Sequence, residues 1–210
     1  MVDIKNVTKV IKGATVLRKV SLNLERGKIY GLKGPNGSGK TMMMRLIAGL
    51  IRPTEGEVYI DQKRLGSDFD FPPSLGMLIE NPAFLPNYSG YKNLELLAQI
   101  KGIATKDEVR QAIIDVGLNP DDRKKYRKYS LGMKQRLGIA AALMESPEII
   151  ILDEPTNALD DNGIEQVLSL IRRERERGAL IILSCHDAEI LHAISDVIIQ
   201  ISEGRIEGVV

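Results

Sequence analysis

The segment "IYGLKGPNGSGKTMMMRLIAGL", Ile29 to Leu50, decides how the rest of the chain is read. Its centre, Gly34-Pro35-Asn36-Gly37-Ser38-Gly39-Lys40-Thr41, joins a short apolar strand, Ile29 to Leu32, to a helical pattern running from Thr41 to Leu50 and closed by Arg52-Pro53. Glycines let several backbone N–H groups converge on one anion, and a helix N-terminus adds partial positive charge at the same point. Lys40 can then reach outer phosphates, and the Thr41 hydroxyl can complete the coordination of Mg²⁺. The alternative is a glycine-rich turn with an incidental lysine, but a full GxxxxGKT match at a strand-to-helix junction favours the phosphate site.

Outward from this stretch the chain alternates strands and helices. The runs "IIIL" (Ile149 to Leu152), "ALIIL" (Ala179 to Leu183) and "VII" (Val197 to Ile199) are uniformly apolar, as strands covered on both faces are. Val2 to Val7 and Val20 to Leu24 alternate apolar with polar residues and read as half-exposed antiparallel strands. Val58 to Ile60 and Leu75 to Ile79 are further strands. From Tyr91 to Met144 the period becomes helical ("NLELLAQI", "KDEVRQAIIDVG", "MKQRLGIAAALM"), with breaks at Gly102 and Asn119-Pro120. After Pro147 come a strand to Leu152, a helix from Ile164 to Arg177, the strand Ala179 to Leu183, a helix from Ala188 to Ile194, and a hairpin, Val197 to Ile201 and Arg205 to Val209, turning at Glu203-Gly204. Such alternation predicts an α/β fold with a mainly parallel core, a small antiparallel β subdomain and an inserted helical subdomain. The core covers 1–80 and 146–210, the insertion about 81–145, in a single domain.

Composition narrows the function classes. Hydrophobic residues make up 43% of 210, enough for a sizeable core. Twenty-nine Lys and Arg against 28 Asp and Glu leave a formal charge of +1, so charge gives no argument for nucleic acid. The single cysteine, Cys185, excludes an intramolecular disulfide and points to a reducing compartment. The apolar runs fall far short of the roughly 20 residues of a spanning helix.

A phosphate loop needs a metal-holding acid on a neighbouring strand, and "EIIILDEP" supplies one. Asp153 ends the apolar run, placed to hold Mg²⁺ through water. Glu154 follows, where a carboxylate can face the outermost phosphate and polarise an attacking water. His186 ends another apolar strand, "ALIILSCH", and can hydrogen-bond a terminal phosphate or simply serve as a polar cap. Cys185 and His186 are adjacent strand residues whose side chains point to opposite faces, which argues against a Cys–His nucleophile.

The segment "YSLGMKQRLGIAAALMESPEIIILDEPTNALD" resembles the signature helix, Walker B strand and D-loop of the ATP-binding cassette (ABC) ATPases. With the Walker A loop before it and "SCHD" after it, the resemblance covers nearly the whole chain in the family's order. It implies a P-loop ATPase core that binds ATP and Mg²⁺. Glu154 would be the general base, Asp160 the D-loop acid and His186 the switch histidine. Ser130, Leu131, Gly132 and Met133 stand at the signature. In the family, one subunit's Walker A and another's signature enclose each ATP in a head-to-tail dimer, here of unspecified homo- or heteromeric kind. Ser130 and Gly132 open a helix whose hydroxyl, backbone N–H and dipole can face that phosphate.

Three departures mark this chain. Ser-Leu-Gly-Met replaces the commoner Ser-Gly-Gly-Gln. Glu80, at the expected end of the strand "SLGMLIE", replaces the Q-loop glutamine and is read as a metal-side acid or, alternatively, a surface ion-pair partner. Both features resemble cassettes of bacitracin and lantibiotic exporters and related immunity transporters. Many members of that branch continue past the final hairpin, whereas this chain stops at Val210, so no regulation housed there is expected. The adenine-stacking aromatic is replaced by Val10 or Ile11, with Val16 as helper, at the cost of ring stacking worth about 1 kcal/mol.

The resemblance implies a cytoplasmic ATPase lying peripherally on the inner face of the cell membrane and driving a separate integral membrane permease. Asn81 to Tyr91, with Phe84, Leu85, Tyr88 and Tyr91, is either the docking loop for that permease or a cover for the helical subdomain's own core. A non-transport ABC ATPase acting on ribosomes or nucleic acid is the competing reading. The basic run "RKKYRKYS" (Arg123 to Ser130) reads instead as a solvated loop, and no nucleic acid partner is expected. No Asn-Lys-x-Asp motif supports a GTPase.

Overall fold

The computed structural model describes residues 1–80 and 82–210. Two sheets organise it. The first is antiparallel and contains β1 (Val2–Ile11), β2 (Ala14–Leu24), β4 (Glu55–Ile60) and β5 (Lys63–Arg64) in the order β2-β1-β4-β5. The second runs β10-β9-β3-β8-β7-β6, from β3 (Ile29–Lys33), β6 (Leu75–Leu78), β7 (Ile149–Leu152), β8 (Leu180–Ser184), β9 (Val197–Ser202) and β10 (Arg205–Val209). Every pairing in it is parallel except the β9–β10 hairpin.

The uniformly apolar strands serve two cores. In β7, Ile149 and Ile151 join one cluster and Ile150 and Leu152 the other; β8 divides in the same way, Leu180 and Ile182 from Ile181 and Leu183. A strand's side chains alternate between faces, so a strand covered on both sides has no position left for a polar residue. One face packs α1 (Lys40–Ile47), through Met43, Met44, Leu46 and Ile47, together with the antiparallel sheet. The other packs α4 (Leu131–Leu143), α5 (Asp161–Glu176) and α6 (Ala188–Ile194). Between β6 and β7 lie α2 (Gly90–Lys101) and α3 (Lys106–Asp115), a 3₁₀ turn (Tyr126–Lys128), and α4. Thr105 and Glu108 form a reciprocal capping box that starts α3.

Several boundaries differ from the pattern in the sequence. The first hairpin is longer than its apolar alternation indicates, reaching Ile11 and resuming at Ala14. Its ends meet in a two-residue turn, Lys12-Gly13, both with positive φ (48° and 82°), the geometry that follows strand twist. Pairing irregularities between Ile4 and Val10 hide the alternation there. The helix α1 ends at Ile47 rather than Leu50, before Gly49 at φ 78°.

The candidate docking loop divides. Asn81 lies outside the described residues. Phe84 packs edge-on against Tyr126, centroids 5.3 Å apart, and Phe84 and Tyr91 cover the helical core. Leu85 and Tyr88 are exposed. In the basic run Tyr126 and Tyr129 are buried while the five Lys and Arg side chains face solvent. Among the described residues, no helix is long and apolar enough to cross a membrane.

β6 approaches α4 so closely that a Cβ on Gly76 would overlap the Ala142 carbonyl oxygen and stand 2.6 Å from Pro147 Cγ. Backbone cannot yield there without moving α4. Gly76→Ala is expected to cost about 2 kcal/mol of stability through overpacking, read as a lowered midpoint with unchanged slope in urea unfolding.

Candidate functional site

The loop from Gly34 to Gly39 follows β3 and opens α1. Close packing shapes it: a Cβ on Gly34 would overlap the Ile201 carbonyl, and Gly39, at φ 114°, lies against the Val16 carbonyl. Gly37, at φ 78°, has open space on its outer side, and Pro35 accepts from the Ser38 N–H at 3.2 Å. The Ser38 hydroxyl is buried inside the loop without a hydrogen-bond partner. Lys40 Nζ donates to the carbonyls of Gly34 (2.7 Å) and Pro35 (3.1 Å), so its charge is folded back over the loop.

Opposite the loop stand the ends of β7 and β8. Thr41 Oγ1 donates to Asp153 Oδ2 at 2.8 Å. Ser184, buried completely, donates to Asp153 Oδ1 at 2.6 Å and accepts from the Glu154 N–H at 3.1 Å. Glu154 adopts a left-handed backbone, φ 53°, which a non-glycine residue holds only when its surroundings impose it. Its carboxylate accepts from the His186 N–H at 2.7 Å and lies 3.7 Å from His186 Nε2, an exposed ring. Its carbonyl accepts from Gln135 Nε2 at 2.9 Å. The Cys185 thiol lies 3.2 Å from Thr156 Oγ1, and burial raises its pKa.

One cavity of about 880 Å³ has Asn36, Gly37, Gly39, Lys40 and Thr41 on one wall and Asp153, Glu154 and His186 on another. Ile11 and Val16 form an aliphatic side of it; Val10 does not reach it. Lys12, Arg18 and Glu203 stand on the same side. The donor set fits Mg²⁺: one hydroxyl and one carboxylate, both oxygen and hydrogen-bonded to each other, suit a small hard cation that takes its remaining oxygens from phosphates and water. No cluster of three or more His, Cys, Asp or Glu able to hold a metal by protein alone occurs among the described residues.

Other residues singled out in the sequence stand apart from this cavity. Ser130 caps α4, accepting from the Met133 N–H at 3.2 Å, and is exposed. Gly132 lies against the loop after Glu154, where a Cβ would stand 2.7 Å from the Ala158 carbonyl oxygen. Asp160 caps α5 through the Gly163 N–H and pairs with Arg136 at 3.2 Å. None of the three lines the cavity that holds Lys40 and Glu154.

Glu80 is not among the residues that line the cavity with Thr41 and Asp153. The strand β6 ends at Leu78, two residues early, and Glu80 takes a left-handed backbone, φ 63°. Its carboxylate pairs with Arg45 at 2.6 Å, is 62% exposed, and belongs to a separate groove beside Phe84 and Leu97. A surface pair of this kind contributes under about 1 kcal/mol.

Ser184 and Gln135 were missed by sequence reasoning. Ser184 is visible in retrospect as the lone hydroxyl ending the buried run "LIIL". Gln135 is buried midway along α4, and nothing in its neighbours announces a partner nineteen residues away.

The sequence profile of the ABC transporter family matches residues 17–157. The chain belongs to that family. It is 45% identical over 207 residues to an uncharacterized ABC transporter ATP-binding protein, YybJ of Bacillus subtilis, covering 99% of this chain and 95% of that protein. It is 41% identical over 208 residues to the bacitracin transport ATP-binding protein BcrA of Enterococcus faecalis (98% and 68% covered). The lantibiotic transport ATP-binding protein SrtF of Streptococcus pyogenes is 37% identical over 206 residues (98% and 89%). Among solved structures, the ATP-binding cassette MJ0796, in a dimeric post-hydrolysis state bound to ADP and Pi, superposes with a TM-score of 0.88 at 28% identity, covering 100% of this chain and 98% of that one. The α/β cassette fold read from the sequence is borne out, and so is the reading as an ATP-binding, ATP-hydrolysing subunit of an ABC transporter over a ribosome- or nucleic-acid-directed ATPase.

The aliphatic side of this ABC cassette yields a test. Ile11→Tyr places a ring where Ile11 borders the cavity and is expected to tighten ATP binding by up to about 1 kcal/mol, roughly fivefold. Calorimetric titration with ATP and with GTP reads the effect; unchanged affinity for both would mean the base lies elsewhere.

Proposed function

We propose that the chain hydrolyses MgATP as one half of a head-to-tail pair of cassettes, bound to a separate integral membrane permease at the cytoplasmic face of the cell membrane, and that the assembly exports a peptide or antimicrobial compound. The partner cassette is a second copy or a homologous subunit. In this reading the whole chain is one cassette, with the core at 1–80 and 146–210 and the helical part at about 81–145.

One observation carries the proposal. The cavity gathers Lys40, Thr41, Asp153, Glu154 and His186, yet the helix N-terminus bearing Ser130 and Gly132 lies outside it. A helix start presents N–H groups and dipole to an anion, and here its anion belongs to another subunit. The dimeric state of the MJ0796 cassette and the transport names of the relatives support the same assignment.

The chain's residues then act as follows. Backbone N–H groups of Gly37 to Thr41 hold the β- and γ-phosphates, and Lys40 exchanges its two loop carbonyls for phosphate oxygens. Thr41 and Asp153 would hold Mg²⁺, which would neutralise charge on the phosphates. Glu154 accepts a proton from the attacking water. The water oxygen bonds to the γ-phosphorus as the bond to the bridging oxygen breaks, and ADP keeps that electron pair. His186 donates to the departing phosphate, and Ser184 holds both acids in place.

Glu154→Gln keeps an oxygen acceptor for the His186 N–H and removes the base. Hydrolysis is expected to fall about 100-fold or more while ATP affinity persists, and size exclusion with ATP and Mg²⁺ should show a trapped dimer. Parent-like turnover would remove Glu154 from the role.

Ser130→Arg is expected to abolish hydrolysis and leave ATP affinity of the single subunit unchanged, whereas Lys40→Ala should weaken that affinity directly. Equal losses of monomer affinity in both variants would contradict a site shared between two subunits.

A further inference from the structure

Three contacts tie the first two turns of α4 to the segment that follows β7. Gly132 backs onto Ala158, leaving no room for a side chain. Gln135 Nε2 donates to the Glu154 carbonyl at 2.9 Å. Arg136 Nη2 donates to Asp160 Oδ1 at 3.2 Å, while its Nη1 holds the Val116 carbonyl and Gln166. Positions 132, 135 and 136 are spaced i, i+3 and i+4, so they share one helix face, and that face meets Ala158, Glu154 and Asp160 respectively.

The contact at Glu154 bears on a residue under strain. Its φ is 53°, and Ala158 four residues later is at 61°. Both backbone polar groups of Glu154 are held by side chains: the N–H by Ser184, the carbonyl by Gln135. The carbonyl also accepts from the Asn157 N–H at 3.2 Å. A buried glutamine amide on that carbonyl fixes the rotation of the 154–155 peptide, and with it the direction of the Glu154 side chain.

We infer that Gln135 is a positioning residue for hydrolysis: it locks the left-handed backbone of Glu154 to α4, so that the helix opening at Ser130 and Gly132 and the catalytic carboxylate of the same chain move as one body. This rests on Glu154 being the base. Its consequence goes further. Docking of a second subunit's phosphate at Ser130 is felt at this chain's own Glu154, through one helix and one amide. Each site of a pair thereby sets the base of the other.

The test uses the full chain with MgATP and two substitutions. Q135M keeps length and bulk and removes the donor. Q135E keeps the shape and can donate to the carbonyl only when its carboxyl is protonated. For Q135M, ATP affinity by calorimetry should stay within about twofold of the parent while hydrolysis falls about tenfold, the scale of one lost hydrogen bond. Amide hydrogen exchange over residues 154–160 should quicken about tenfold, with β7 and α4 unchanged. For Q135E, hydrolysis relative to the parent should recover as pH falls from about 8 towards about 6, because protonation restores the donor. A glutamine that only fills space would give no such recovery. Parent-like hydrolysis and exchange in Q135M overturn the inference. If Glu154→Gln turns over like the parent, the base assignment fails instead, and the exchange arm still decides whether Gln135 holds the segment.

Discussion

The register between β7 and β8 is the constraint on which the site depends. Leu152 pairs with Leu183, and on β8's other side Leu32 pairs with Ser184. Asp153 and Ser184 therefore emerge side by side at the carboxyl ends of adjacent parallel strands, where open α/β sheets bind ligands, and the 2.6 Å bond between them follows. Because side chains alternate, a slip of one residue would turn Asp153 and Ser184 onto opposite faces. The hydrophobic pattern prevents this. Ile149 to Leu152 and Leu180 to Leu183 each send alternate residues into two different cores, and a slip would exchange all of them.

The phosphate loop depends on the same sheet from the other side. It rests on the β9 end, since Gly34 lies against the Ile201 carbonyl, and on the first hairpin, since Gly39 and Gly204 both approach the carbonyl of Val16. Backbone packed on backbone tolerates no side chain, so these glycines serve assembly as much as anion binding. Across the site Thr41 and Asp153 are already joined, while Lys40 rests on the loop carbonyls of Gly34 and Pro35.

Much of this was legible in the sequence, for physical reasons that differ from element to element. The strand-to-helix junction at Gly34 to Thr41 and the apolar run ending in Asp153 are local patterns whose chemistry follows from residue type and position. The helix Ala188–Ile194 and the turn at Glu203-Gly204 were read with correct bounds because Asp187 caps one and a glycine marks the other. The first hairpin was read short because its irregular pairing breaks the period that betrays a strand. The end of β6 was read late because "LGMLI" continues as a strand on hydrophobicity alone, while a positive φ at Glu80 turns the chain and Arg45, thirty-five residues away, pairs with its carboxylate. Ser184, Gln135 and Arg136 act through bonds spanning nineteen to thirty-one residues, and no local pattern encodes those.

The aliphatic side formed by Ile11 and Val16 bears on how the proposed ATPase would tell one nucleotide from another. Branched alkyl groups touch any purine face equally well, and the polar side chains nearby, Lys12, Arg18 and Glu203, are exposed. Recognition then concentrates on the triphosphate, which every nucleoside triphosphate carries in the same form. In the proposed ATPase, a base lying on this side would meet few directional contacts, and the triphosphate end of the cavity would carry most of the recognition.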